Sequence, residues 1–393
     1  MSLNGAIATR SSQRRYDPLV MQAGETTPLG RGMRRRIVIC GAGIVGVAIA
    51  DRLARRGARP TIVERARPAA AASGKAAGFL ALDWNDGNPT GALARLSFAV
   101  HRELAVELDN VGYRDVESLL VAGLDGGPIE SYRRLPSPAW LDGTVAVHSV
   151  IGTPATTAQV DPARLTRALF DRAVEHGATP ITGVVDGLER GRDGTLLGVS
   201  VDGAVIPADV AVLALGPWTA RAAAWVALPA VHGLKGASIT LAADVPAQMI
   251  FSDYLTRDGQ RRSPEIYPRP GGEVYVNGYP EHDPLPDDPD DIRPSDPACA
   301  ELHRIAGAHS ALLAAAPVTA RRACFRPVTA DGIPIIGPVP GAPGVLVATG
   351  HGPWGILNAP ATGLIVAEMI LDGQARSLDA SPFAPARFPL GQR

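Results

Sequence analysis

Three glycines and a carboxylate lie at a spacing that suits the binding of a nucleotide. Gly41, Gly43 and Gly46 directly follow a β-branched apolar run, and Glu64 ends the next such run. Glycine allows a tight turn and a close approach of the backbone to a pyrophosphate. A helix that begins there offers free N–H groups, and an acidic residue about 20 positions later can bind ribose hydroxyls. The pattern predicts a dinucleotide site, with a glycine-rich turn in an empty Rossmann-like unit as the alternative.

The residues around these glycines predict the elements that hold them. Residues 36–40 predict a buried parallel strand, and apolar residues then recur at helical spacing up to Leu53. Residues 60–64 predict the next strand, which completes a βαβ unit. Further along, Asp161 followed by Pro162 predicts the start of another helix, with Asp161 as its N-cap. The segments around 237–241 and 273–278 alternate and favour an additional, mainly antiparallel sheet.

Length and composition exclude several classes of protein. The chain has 393 residues, of which 46% are hydrophobic and 20% charged, which suits two globular domains. A net charge of −1 argues against general nucleic-acid binding. The cysteines are Cys40, Cys299 and Cys324, an odd number without a CxxC pair, so we expect free thiols and a cytoplasmic location. No uninterrupted apolar run reaches the roughly 20 residues of a membrane span.

Four further segments resemble one family of flavoproteins. They are the small-residue loop 71–78, the strand and Gly-Pro-Trp turn at 212–218, the R-P-x-T-x-D-G-x-P-x-I-G motif at 326–337 and the glycine-rich segment 349–363. Together with the fingerprint at 41–46, they make the chain similar to the D-amino-acid oxidase superfamily of FAD enzymes over about residues 34–373. The resemblance implies an α/β fold with a Rossmann-like FAD-binding domain and a second, mainly antiparallel substrate domain.

The same resemblance implies the domain boundaries and the cofactor site. Residues 33–85, 150–225 and 322–393 would form a discontinuous FAD-binding domain, 86–149 and 226–321 the substrate domain, and 1–32 a mobile extension. In the glycine-rich segment, backbone can lie against a flat ring, and Pro360 predicts the first turn of a helix whose N-terminus faces the flavin. The FAD-binding residues implied are Gly41, Gly43, Ile44, Val45, Gly46, Glu64, Arg65, Ser73, Lys75, Ala76, Gly216, Trp218, Gly350, His351, Gly352, Trp354, Gly355 and Ile356.

Arg326 is the substrate-binding residue that the resemblance implies. A guanidinium holds a carboxylate through two parallel hydrogen bonds, and the alternative is a structural pair with Asp331. Trp354 is predicted as a wall of the pocket, with core packing as its alternative. His351 is interpreted as a residue beside the flavin rather than a base. Tyr267 and Arg269 resemble the family's strand beside the substrate.

Cys324 is the one candidate for covalent flavin attachment. It lies seven residues before Asp331, a spacing that resembles the flavin-linked cysteine of sarcosine oxidase. Because a free cysteine is often a small buried hydrophobe, we predict FAD that is bound non-covalently. No lysine lies in the strand 273–278, where that enzyme has an oxygen-activating lysine. The electron acceptor is therefore oxygen or another acceptor.

The predicted activity is oxidation of the C–N bond of an amino acid or secondary amine. Hydride transfer to flavin N5 would give an imine, and the partners are a small-molecule substrate and an electron acceptor. The alternatives are the same fold acting on a hydroxy acid, or a non-catalytic flavin-binding assembly protein. Residues 281–297 are rich in acidic residues and proline and predict a solvated surface loop.

Overall fold

The computed structural model describes residues 35–125 and 135–388, so the extension predicted at 1–32 lies outside it. The described helices are α1 (Ile44–Arg55), α2 (Ala72–Lys75), α3 (Gly91–Glu107), α4 (Pro162–Glu175), α5 (Asp296–His309), α6 (Ala311–Ala315) and α7 (Gly355–Asp372). The described strands are β1 (Ile37–Cys40), β2 (Thr61–Glu64), β3 (Phe79–Ala81), β4 (Arg114–Asp115), β5 (Glu117–Leu124), β6 (Val145–Gly152), β7 (Thr157–Gln159), β8 (Thr179–Thr182), β9 (Val185–Arg190), β10 (Leu196–Val201), β11 (Ala204–Pro207), β12 (Val210–Leu213), β13 (Val231–Ala242), β14 (Gln248–Leu255), β15 (Arg261–Arg262), β16 (Glu265–Arg269), β17 (Glu273–Glu281), β18 (Val318–Thr329), β19 (Ile335–Pro338) and β20 (Val345–Thr349).

A six-stranded sheet carries the glycine fingerprint. Its order is β19-β20-β12-β1-β2-β8, and all neighbours are parallel except β19 and β20. Every residue of β1, β12 and β20 is buried. Strands covered on both faces must be apolar throughout, which explains the uninterrupted apolar runs in the sequence. The Rossmann-like unit predicted at the N-terminus is confirmed.

A second, larger sheet lies beside the cavity described below. Seven of its strands run in the order β18-β13-β17-β16-β14-β5-β6, and β15 pairs with β14. All of its pairings are antiparallel except β5 with β14. The prediction of an additional, mainly antiparallel sheet is therefore confirmed. Two three-stranded sheets, β11-β10-β9 and β3-β7-β4, complete the strands.

Helices pack tightly on the parallel sheet. The predicted cap of α4 is present, because the Asp161 carboxylate accepts a hydrogen bond from the backbone N–H of Arg164 at 3.0 Å. Helix α1 packs against both α4 and α7. At its crossing with α7, a Cβ on Gly363 would lie 2.6 Å from the backbone of Ala48, so only glycine permits this approach.

Helix α7 contains a proline whose cost is offset by a neighbouring helix. The prediction that Pro360 begins the helix is wrong, since α7 begins at Gly355 and Pro360 lies inside it. Proline removes the hydrogen bond to the carbonyl four residues earlier. That carbonyl, of Ile356, accepts instead from His101 Nε2 of α3 at 3.0 Å, and the Ala361 N–H donates to Ser97 Oγ at 3.1 Å. Helix α7 can therefore begin at Gly355, five residues before Pro360, without leaving these backbone groups unpaired.

The stretch Gly352–Asp372 is apolar because it is buried. By length and composition alone it could cross a bilayer, yet most of it lies inside the protein, packed on α1 and α3. Its hydropathy is that of a core helix.

Three buried histidines predict a marked acid sensitivity of folding. Burial lowers the pKa of His101, His309 and His351 to about 4, from about 6.5 in an unfolded chain. Between these values the unfolded chain binds more protons, so the free energy of unfolding falls as pH falls through that window. Each histidine contributes about 1.4 kcal/mol per pH unit, hence about 4 kcal/mol per unit for all three.

Urea unfolding at pH 7.5, 6.0 and 5.0 measures this dependence. In His309→Gln the slope of the unfolding free energy against pH should decrease by about a third. The exposed His176 provides the matched control, since His176→Gln should leave the slope as it is. A stability that is flat between pH 7 and 5 would contradict the prediction.

Candidate active site

The glycine turn between β1 and α1 is built as the fingerprint requires. Gly41 has φ of +113°, and a Cβ there would lie 2.5 Å from the Ala214 carbonyl oxygen. A Cβ on Gly46 would lie 2.0 Å from the Gly41 carbonyl oxygen. A Cβ on Gly43 would meet only Ser73 Oγ, at 3.3 Å. Backbone packing thus requires glycine at positions 41 and 46, whereas Gly43 leaves one side of the turn open.

Glu64 fixes the turn from the end of β2. Its Oε2 accepts from the Ala42 N–H at 2.8 Å and its Oε1 from the Ala66 N–H at 3.0 Å. Ser73 Oγ accepts from the Ile44 N–H at 2.9 Å, which ties α2 to the first turn of α1. Both side chains also border the cavity that begins at this turn.

An elongated cavity runs from the glycine turn to the second sheet. Of the residues predicted to bind the cofactor or substrate, most line it: Gly41, Gly43, Ile44, Val45, Glu64, Arg65, Ser73, Ala76, Gly216, Trp218, Cys324, Arg326, His351, Gly352, Trp354, Gly355 and Ile356. Three do not. Gly46 packs beneath the turn, Gly350 lies against Thr329, and Lys75 donates to the Pro289 carbonyl oxygen at 3.2 Å.

The N-terminus of α7 forms the middle of the cavity. Residues 351–356 all line it, so free N–H groups of an 18-residue helix face this space. His351 is buried and bonds through Nε2 to Thr362 Oγ1 at 3.0 Å, while the Thr362 hydroxyl donates to the Asn358 carbonyl. Because burial lowers the pKa of His351 to about 4, it is neutral near pH 7 and orders the helix start.

The far wall carries residues that the sequence patterns did not single out. They are Trp84, Phe251, Glu265, Tyr275 and Asn277, all of which line the cavity. Glu265 and Asn277 are directly paired across β16 and β17. The sequence shows that side chains along β16 and β17 alternate between two faces of a sheet. Only the pairing of the strands in the structure shows which of the two faces lines the cavity.

Arg326 reaches the cavity from β18 without a partner of its own. Among the described residues its guanidinium has neither a hydrogen bond nor an ion pair. The alternative role, a pair with Asp331, is wrong: Asp331 pairs instead with Arg387 at 2.8 Å. A guanidinium that lines a cavity with no internal counterion is suited to an anionic ligand.

Tyr267 and Tyr275 are held as neutral hydroxyl groups. The Tyr267 O–H donates to Glu265 Oε2 at 2.7 Å, and burial together with Glu265 holds the pKa of Tyr267 well above its usual value. Burial also raises the pKa of Tyr275 to about 12. The Tyr275 O–H donates to the Lys75 carbonyl oxygen at 2.8 Å. Tyr267 lies beside the cavity, as predicted from the resemblance.

Arg269 lies behind the cavity wall rather than in it. Its guanidinium donates to the carbonyl oxygens of Ala76 and Ala77, at 2.9 and 3.3 Å, and lies 4.6 Å from the ring centre of Tyr275. Arg269 and Tyr275 therefore anchor the loop that lines one side of the cavity.

The acidic segment 283–291 contributes Pro289 to the lining of the cavity. A solvated loop was predicted over residues 281–297, but β17 runs to Glu281 and α5 begins at Asp296. Between them, acidic side chains pair with basic residues of other segments: Arg67 with Asp290 at 2.6 Å, Arg221 with Asp287, and Lys235 with Asp283. Trp218 Nε1 also donates to the Pro286 carbonyl oxygen at 2.8 Å. These ion pairs and this hydrogen bond hold the proline-rich segment against the rest of the protein, although the segment forms no strand pairing.

Comparison with known proteins identifies the family. Residues 36–369 match the DAO family of FAD-dependent oxidoreductases. The protein belongs to this family. A glycine oxidase of Pseudomonas aeruginosa is 28% identical over 384 residues, spanning 90% of this chain and 99% of the relative.

Two solved structures superpose on most of this chain. The crystal structure of glycine oxidase from Geobacillus kaustophilus gives a TM-score of 0.76 at 26% identity, covering 91% of this chain and 99% of the other. An L-proline dehydrogenase from P. horikoshii gives 0.72 at 21% identity, covering 90% and 98%, which shows the shared fold alone.

Proposed function

We propose that this FAD-dependent oxidoreductase oxidises the C–N bond of an amino acid, or of a secondary amine that carries a carboxylate. The observation that carries the proposal is Arg326, a guanidinium that lines the cavity and has no partner among the described residues. Its planar fork of donors fits a carboxylate. The named activities of the glycine oxidase relatives support the same class of substrate.

The residues of the elongated cavity fit FAD. Gly43 leaves the turn open where a Cβ would intrude, and the N-terminus of α1 offers N–H groups to a pyrophosphate. Glu64 borders the same end, where ribose hydroxyls would bind. When bound, FAD would supply a hydride acceptor, N5: after the substrate nitrogen has released its ammonium proton, the carbon that bears it gives up a hydride and the nitrogen gives up a second proton, which leaves an imine.

The chain itself binds and orients the substrate. Arg326 holds the carboxylate, while Trp354 and the aromatic residues around it keep water from the reacting carbon. The N-terminus of α7 adds a partial positive charge, which stabilises negative charge at this position. His351 supports this helix start and takes no proton near neutral pH.

We propose that the flavin is bound non-covalently. Cys324 lines the cavity, yet burial raises the pKa of its thiol in spite of the nearby Arg326 and Lys75. A protonated thiol is a poor nucleophile. Acid precipitation should therefore release all of the flavin, and yellow colour that stays with the pellet in the wild type but not in Cys324→Ser would show a covalent bond.

Anaerobic mixing tests the proposed reaction. The purified yellow enzyme is exposed to panels of D-, L- and N-methyl amino acids and to hydroxy acids while the flavin absorbance is followed. Bleaching by an amino acid is the expected result, and its recovery in air would make oxygen the acceptor. Bleaching by hydroxy acids alone, or by none of the compounds, would overturn the proposal.

We further propose the division into two domains given by the sequence. The strands of the six-stranded sheet, β1, β2, β8, β12, β19 and β20, lie within 33–85, 150–225 and 322–393, and β13 to β17 lie within 226–321. Strands β6 and β18 cross the boundaries at 150 and 322, and the described residues form one compact unit. We therefore expect one calorimetric transition, and two separate transitions would show independent domains.

The location that we propose is the cytoplasm. Cys40, Cys299 and Cys324 are all free, which suits a reducing compartment. Fractionation of cells that express the full chain tests this, and recovery outside the cytoplasmic fraction would contradict it.

A further inference from the structure

Two opposite charges face the same cavity, and neither has a counterion. The Arg326 guanidinium has no hydrogen bond or ion pair among residues 35–125 and 135–388. Within those ranges the Glu265 carboxylate forms no ion pair, and its only hydrogen bond is the one from Tyr267. A partly buried charge that is removed from water without a partner is unfavourable. The cavity is therefore complementary to a ligand that carries both a negative and a positive group.

Strand geometry places Glu265 on the face of the sheet that meets the cavity. Glu265 and Tyr267 are two residues apart on β16, so their side chains point to the same side. Phe251 and Asn277 are the residues paired with Glu265 on the neighbouring strands. All of these line the cavity. The hydrogen bond from the Tyr267 hydroxyl holds the carboxylate in place, and the other oxygen is left for a ligand.

Four aromatic rings line the same cavity as Glu265, and one of them, Phe251, is paired with Glu265 on the neighbouring strand. Trp84 lies 4.8 Å from Phe251, 4.9 Å from Phe79 and 6.3 Å from Trp354, measured between ring centres. The pairs with Phe251 and Trp354 are edge-to-face. All four rings line the cavity, and aromatic side chains attract a cationic nitrogen that lies over a ring face. We call Phe79, Trp84, Phe251 and Trp354 the aromatic wall.

We propose that Glu265 and the aromatic wall form a cation subsite, which selects substrates that carry a cationic nitrogen as well as a carboxylate. The inference rests on the proposed function, because Arg326 must hold the carboxylate at the same time. A zwitterionic amino acid satisfies both charges, whereas the matching hydroxy acid leaves Glu265 without a partner. Glu265 thus determines specificity for amines over alcohols.

Two unreactive carboxylates of the same shape isolate the effect of the positive charge. Trimethylglycine carries a quaternary ammonium group, and 3,3-dimethylbutanoate carries a neutral tert-butyl group in its place. Each is titrated into the purified holoenzyme, and binding is followed by the change in flavin absorbance. We expect trimethylglycine to bind about tenfold or more tightly than 3,3-dimethylbutanoate.

Variants assign this preference to Glu265. In Glu265→Gln, the preference for trimethylglycine should fall by about fivefold or more, to the part that the aromatic wall supplies, and 3,3-dimethylbutanoate should bind as in the wild type. Glu273→Gln, an exposed glutamate on the adjoining strand, is the matched control and should keep the full preference. Equal affinities in the wild type, or a preference that stays undiminished in Glu265→Gln, overturn the subsite. The wild-type comparison decides even if the variant does not fold.

The same titrations separate this inference from the proposed function. If Arg326→Ala weakens both ligands but the wild type shows no preference for the cation, only the cation subsite is wrong. If Arg326→Ala weakens neither ligand, the carboxylate site is wrong, and the proposed function fails with it. If neither ligand binds the wild type, both are overturned.

Discussion

Replacement of Arg326 by alanine is expected to lower kcat/KM for an amino-acid substrate by about a thousandfold while the flavin stays bound. The substrate carboxylate would then have no cationic partner nearby. The other basic residues of the described lining are Arg65 and Arg221, which lie at the nucleotide end of the cavity. Truncating one partner of a buried charge pair costs about 2–5 kcal/mol, and each 1.4 kcal/mol is about tenfold. Steady-state kinetics with the best substrate of the anaerobic panel measures this effect.

Two further variants test whether the loss comes from the guanidinium of Arg326: Arg326→Lys, and Arg321→Ala as a control. Arg326→Lys keeps the charge but not the planar fork, so it should recover only about tenfold of the loss. Arg321 lies on the same strand with the opposite parity, is exposed and pairs with Asp296, so Arg321→Ala is the matched control with near wild-type kinetics. Unchanged kinetics in Arg326→Ala would refute the carboxylate role.

Substitution of two glycines of the fingerprint should have different effects: Gly46→Ala should lower the stability of the fold, and Gly43→Ala should lower the affinity for FAD. In Gly46→Ala the new Cβ would lie 2.0 Å from the Gly41 carbonyl oxygen, so backbone must shift and we expect a loss of about 3 kcal/mol or more in unfolding free energy. In Gly43→Ala the Cβ meets only Ser73 Oγ, at 3.3 Å, so the apoprotein should fold. Its FAD affinity should nevertheless fall about 100-fold or more, because that Cβ stands where the pyrophosphate approaches.

Thermal unfolding of the apoproteins and FAD titration by fluorescence quenching measure the two effects. The variants serve as controls for each other, since both add one methyl group to the same turn. Gly43→Ala that retains FAD within about threefold of the wild-type affinity would contradict the role assigned to this open side of the turn.

The parts of the molecule that could be predicted are those whose structure is determined by residues close together in the sequence. The turn at Gly41 to Gly46 needs only the strand before it and the helix after it, and both are encoded within 25 residues. The N-cap at Asp161 is equally local. Such elements depend on backbone sterics and capping, which short patterns record directly.

The parts that could not be predicted depend on distant partners. Pro360 is read locally as a helix start, but His101 and Ser97, more than 250 residues earlier, supply the hydrogen bonds that let the helix continue through it. Glu265 becomes a cavity residue only through its pairing with β14 and β17. A single sequence contains no record of those pairings.

The cavity is lined by segments that lie far apart in the sequence, and this decides how much of the chain must be made before the site exists. One part of the lining comes from residues between 41 and 45, and another comes from residues 351–356. The central strand β1 also needs β12, and β12 needs β20, so the sheet is complete only after residue 349. A chain that ends before residue 349 therefore has a glycine turn but no complete sheet and no closed site. Products truncated before that residue should accumulate colourless.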